Sequence, residues 1–60
     1  MKPGTRVLIM PGWHHAGTLG TVLGEDVVVG QSWTPVKWDD EEDPDFFKTC
    51  GLVDLGEGST

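Results

Sequence analysis

The chain has 60 residues, ten acidic against four basic side chains, a formal net charge of −6, nine glycines, four prolines and a single cysteine. One domain is the limit at this length, and with only about 60% of the unfolded surface available for burial, a core of roughly ten side chains and no deep pocket is expected. A single cysteine excludes an intrachain disulfide and a four-cysteine zinc site, and the four basic residues (Lys2, Arg6, Lys37 and Lys48) are too few and too scattered to form the basic patch that binds phosphate backbones.

Met1-Lys2-Pro3-Gly4 carries neither the apolar region nor the cleavage site of a signal peptide. No apolar run approaches the roughly 20 residues of a membrane span. A soluble, cytoplasmic protein is the expectation, and the unpaired Cys50 agrees with a reducing compartment. Glycine and proline punctuate the chain too often for a long helix. What lies between them is short, apolar and rich in β-branched residues, the pattern of strands.

Thr5 to Met10 reads as the first strand, with Val7 and Ile9 on one face and Leu8 and Met10 on the other. Pro11-Gly12 ends it, and Trp13 to Gly17 forms a loop. Thr18 to Leu23 is the second strand and Val27 to Val29 the third, joined by a Gly24-Glu25-Asp26 turn. After Gly30-Gln31-Ser32, Trp33 to Trp38 is the fourth. Pro35 lacks an N–H donor, which places it at an edge or a strand start. An acidic loop follows, with six carboxylates in the seven residues from Asp39 to Asp45. Asp43 suits a helix cap, Pro44 a first helical position and Gly51 a stop, so a single turn of helix is expected there, with Phe46, Phe47 and Cys50 at one-turn spacing. Cys50 itself reads as a small buried hydrophobe. Leu52 to Leu55 is the last strand, and residues 56–60 read as a flexible polar tail. The expected architecture is all-β: a five-stranded SH3-like barrel over residues 1–55, with one short 3₁₀ turn before the last strand. Closing the sheet on itself protects its edges.

Two resemblances accompany this reading. Val7-x-Ile9-x-x-Gly12 followed by Gly17-x-x-Gly20-x-Val22 resembles the KOW motif, in which two strands flank a glycine-rich loop. Gly20 has no Cβ, so a ring or another backbone can approach it closely. Gly4-Thr5-Arg6-Val7, Gly20-Thr21-Val22, Val36-Lys37-Trp38-Asp39, Phe46 or Phe47, Gly51 and Asp54-Leu55 are similar to the pattern of Mind-bomb/HERC-type domains. Both families are SH3-like barrels. The first implies contact with RNA, ribosomes or RNA polymerase, and the second implies protein–protein recognition. Nucleic-acid contacts in KOW domains are basic, so the acidity of this chain favours the second implication.

Three tryptophans are a heavy load for so small a core, and large indoles are rarely fully buried. Trp38 alternates with Val36 and reads as core. Trp13 and Trp33 read as partner-binding anchors or as caps on the barrel ends. Phe46 and Phe47 complete an aromatic face, and Asp39, Asp40, Glu41 and Glu42 flank it as a docking surface or as a solvated, self-repelling loop. The acidic run lacks the glycine of a calcium loop, and Pro44 interrupts the ligand spacing. His14 and His15, adjacent on extended chain, point apart and do not share a metal ion. No nucleophile–base pair or phosphate-cradling loop is present. The expectation is therefore a non-enzymatic interaction module, without cofactor, metal or membrane contact, that uses the aromatic face flanked by the acidic loop to bind a partner protein bearing a basic surface or segment. The alternatives are a phage-encoded inhibitor whose carboxylates mimic a nucleic-acid backbone, and a KOW-type transcription or ribosome accessory protein.

Overall fold

The computed structural model describes residues 1–57. Its elements are β1 (Thr5–Ile9), β2 (Leu19–Val22), β3 (Val27–Val29), β4 (Gln31–Trp38), β5 (Asp45–Lys48), a 3₁₀ turn (Thr49–Gly51) and β6 (Leu52–Glu57). All strand pairings are antiparallel, in the order β3-β4-β2-β1-β6, with β5 added to β4. The sheet therefore has six strands rather than five, and among the described residues no pairing joins β5 or β3 to β6, so it is open. The last strand nevertheless returns beside the first, through Val7↔Asp54, Leu8↔Val53 and Ile9↔Leu52.

Alternation decides which side chains go inside. Val7 and Ile9 of β1, Val22 of β2, Val36 and Trp38 of β4 and Leu52 of β6 are buried together, and Met1, Trp13 and Phe47 pack against them half-buried. Each fully buried aliphatic side chain contributes about 1.5–3 kcal/mol relative to exposure. Register brings Gly20 opposite Trp38 and Val22 opposite Val36. A Cβ at Gly20 would sit 2.6 Å from both the Trp38 ring and the Val36 side chain, so this close approach requires glycine.

Four sequence expectations change. Asp43-Pro44 does not open a helix. Asp45–Lys48 is extended and pairs with β4, and the 3₁₀ turn comes only at Thr49–Gly51. Phe46 and Phe47 therefore point to opposite faces instead of sharing one with Cys50. The short turn directs Gly51 inward and Cys50 outward, so the thiol is exposed rather than buried. Pro35 lies inside β4, not at its start. There β2 pairs with Val36–Trp38 and β3 with Gln31–Trp33, so the four connecting residues Leu23–Asp26 stand against only Thr34 and Pro35. A bulge of this kind needs no donor from Pro35, while its carbonyl still accepts from Leu23 N–H at 2.8 Å. Finally, β6 runs on to Glu57, into the expected tail, whose residues 58–60 lie outside the described residues.

A small polar cluster closes the bulge. Thr34, fully buried, donates its hydroxyl to Asp26 at 2.8 Å. Its one proton is thereby used, so Thr49 is the donor in the 2.8 Å Thr49–Thr34 bond. The Met1 ammonium also lies 2.9 Å from Asp26. Partial burial pushes the Asp26 carboxyl up, but the hydrogen bonds from the ammonium and Thr34, with the charge of the ammonium, outweigh it and hold the carboxyl below the usual carboxylate range.

Candidate functional site

At one end of the core, the β1–β2 loop and the acidic loop face each other across a cleft of about 290 Å³. Its walls are Ile9, His15, Thr18, Trp38, Phe47 and the carboxylates Asp40, Glu41 and Asp45. Each wall has a local cause. The β1–β2 loop folds back tightly: Gly17 N–H donates to Ile9 at 2.9 Å, and the His15 carbonyl accepts from both the backbone N–H and the hydroxyl of Thr18. His15 takes a left-handed backbone conformation (φ 62°) to make this turn.

Opposite, the acidic loop is not loose chain. Asp39 N–H donates to Leu19, Glu41 N–H donates to Trp38, and the Lys37 ammonium reaches over to the carbonyls of Glu41 and Trp38. Asp45 enters through register. It stands opposite Val36, so it shares the face of Val36 and Trp38, beyond the edge of the core. The aromatic wall is equally determined. Phe47 stands opposite Thr34 on the inner face, with its ring 5.5 Å from Trp38 in an edge-to-face arrangement and 5.4 Å from Trp13. Gly51 makes this possible, since a Cβ there would lie 2.7 Å from Phe47 and 2.9 Å from Trp13.

The carboxylates are not equivalent. Asp39 is bound twice by Arg6, at 2.6 and 2.9 Å, and this guanidinium also donates to Thr21. The hydrogen bonds from Arg6, ahead of its charge, pull the Asp39 carboxyl below its usual range, and the reciprocal bond raises Arg6. Asp40, Glu41 and Asp45 have no ion-pair partner among the described residues.

The aromatic and acidic residues singled out by sequence thus separate into groups. Phe47, Asp40 and Glu41 meet at the cleft. Trp13 lies behind it, half-buried against Phe47, as part of its support. Asp39 is committed to Arg6 on the outer face, and Glu42 is exposed and outside the cleft walls. Trp33 and Phe46 lie on the outer face, Trp33 between Val27 and Lys48 and Phe46 opposite Pro35. Phe46 is 55% exposed. Asp45, His15 and Thr18 line the cleft without having been singled out as binding residues. Asp45 was visible only as the end of the acidic run, and nothing local in the sequence brings His15 toward it.

Among the described residues no group of three or more metal-ligating side chains is clustered to hold an ion, and no helix is long and apolar enough to cross a membrane. Comparison of the chain with protein-family models, curated proteins and solved structures gives no match.

Proposed function

We propose that the protein is a small SH3-like barrel that works as a non-enzymatic interaction module, binding a basic segment of a partner protein at the cleft between the β1–β2 loop and the acidic loop. The barrel assignment is supported by the return of β6 beside β1 and by the 3₁₀ turn directly before it. The binding assignment is carried by one observation: the cleft combines an aromatic wall with three carboxylates that no basic side chain of the described residues neutralises. Such a surface has charge to offer a cationic partner and apolar area to hold it. A chain at −6 also steers basic partners toward itself.

Trp38 and Trp13 report on the site, so tryptophan fluorescence can follow a titration with a short peptide of mixed lysine and arginine. Binding should weaken as salt rises from about 0.05 to 0.5 M. The triple variant Asp40→Asn, Glu41→Gln, Asp45→Asn should lose about tenfold or more in affinity. An undiminished affinity in that variant contradicts the assignment of the cleft.

A further inference from the structure

The geometry points to a single arginine side chain of the partner as the occupant of the cleft, its stem against Phe47 and its guanidinium between Asp40 and Asp45. This inference rests on the proposal that the cleft binds a basic segment, and it specifies how.

Size comes first. A cleft of about 290 Å³ falls just below the range of about 300–1,000 Å³ that encloses whole small ligands. It is suited to one inserted side chain rather than to a cofactor or a folded element.

Charge comes second. Asp40, Glu41 and Asp45 line the cleft, no lysine or arginine does, and both ion pairs of the described residues, Met1–Asp26 and Arg6–Asp39, lie outside it. Lys37, the basic side chain bonded to the acidic loop, spends its ammonium on the backbone carbonyls of Glu41 and Trp38, not on a carboxylate. A positive group is what the cleft lacks.

Shape and chemistry then select among cations. Phe47, backed by the buried Trp38, presents aromatic surface beside carboxylates that come from two directions, Asp40 from the loop and Asp45 from the start of β5. Lysine carries a compact, strongly hydrated point charge. Arginine carries a flat, weakly hydrated guanidinium that stacks on rings while donating to two carboxylates at once. The protein already uses the two-pronged part of this chemistry internally, where Arg6 donates through two nitrogens to both oxygens of the single carboxylate of Asp39.

The test uses the full chain labelled with ¹⁵N and three blocked peptides: a glycine-serine peptide with one central arginine, the same peptide with lysine, and a peptide of mixed lysine and arginine. The arginine peptide should shift the amides of His15, Thr18, Asp40, Glu41, Asp45 and Phe47, and bind about fivefold or more tighter than the lysine peptide. Asp45→Asn and Asp40→Asn, both exposed positions whose spectra report retained folding, should each weaken the arginine peptide by about fivefold to tenfold. Phe47→Leu should weaken it by about threefold. Equal binding of the lysine and arginine peptides at the cleft would overturn the arginine anchor and leave the basic-segment module standing. Saturable binding of only the mixed peptide, indifferent to Phe47→Leu, would do the same. Failure of all three peptides to move the cleft amides would overturn both.

Discussion

Phe46 and Phe47 are neighbours in the chain and opposites in the fold. Phe47 stands on the inner face of β5, wedged between Trp13 and Trp38 above a glycine, and forms one wall of the cleft. Phe46 stands on the outer face, opposite Pro35 and more than half exposed. The same contrast divides the acidic loop, where Asp39 is neutralised by Arg6 while Asp40 and Asp45 keep unpaired charge beside the aromatic wall. One residue of displacement along a strand thus separates a side chain that builds a site from one that merely covers a sheet. Under the proposed function, the binding face is marked by free charge next to supported aromatic surface rather than by exposure alone.

The largest effect should come from the support beneath both faces. Gly20→Ala places a methyl group 2.6 Å from Trp38 and Val36, and overpacking of this kind costs about 2–3 kcal/mol. Urea denaturation should show a lower midpoint, and an unchanged midpoint would mean that the sheet does not bring Trp38 across Gly20. Gly51→Ala is a sharper probe of the cleft, because the atoms it meets are those of Phe47 and Trp13. It should destabilise by about 1–3 kcal/mol and also weaken peptide binding, whereas Gly20→Ala should act mainly on stability.

The two phenylalanines test the comparison itself. Phe47→Ala should lower stability by about 1–3 kcal/mol, below the full range for a wholly buried ring because Phe47 is only half-buried. Phe46→Ala should stay within about 0.5 kcal/mol of the parent. Similar losses in thermal denaturation for both variants would erase the distinction between the faces.

A smaller effect than those of the glycines and Phe47 concerns pH. Asp26 has a carboxyl held below its usual range by the Met1 ammonium and Thr34. Its contribution is therefore present above the unfolded aspartate value of about 3.9 and is lost as pH falls through the lower folded value. Asp26→Asn should cost about 1 kcal/mol at pH 7. The difference between parent and variant should shrink as the pH of urea melts is lowered from 5 to about 2. A difference independent of pH would show that the ion pair contributes nothing.

Much of the sheet was legible in local pattern. Alternation in Thr5–Ile9 and Val36–Trp38 marked the inward residues, and Gly20 announced the close approach that Trp38 makes. The segment after the acidic loop was not legible. Asp43-Pro44 followed by two aromatics and a later glycine satisfies helix start and stop rules, and a run of four residues has too little periodicity to argue otherwise. What decides for β5 is the free edge of β4, the strand just before the acidic loop, a partner that lies outside the four residues of β5 themselves. Pro35 misled for a related reason. Its tolerance inside β4 depends on the bulge at Leu23–Asp26 across the sheet. The aromatic and acidic ingredients of the cleft were visible as composition, but their sorting was not. The pairing of Asp39 with Arg6 spans 33 residues, and the meeting of His15 with Asp45 depends on how two loops fold against the same end of the core.

The most direct measurement is amide chemical-shift mapping of the labelled protein against the peptide of mixed lysine and arginine. The account predicts that saturable shifts concentrate at His15, Thr18, Asp40, Glu41, Asp45 and Phe47, while Val29, Trp33 and Phe46 stay put. Shifts centred on Trp33 and Phe46, with the cleft unmoved, would contradict it.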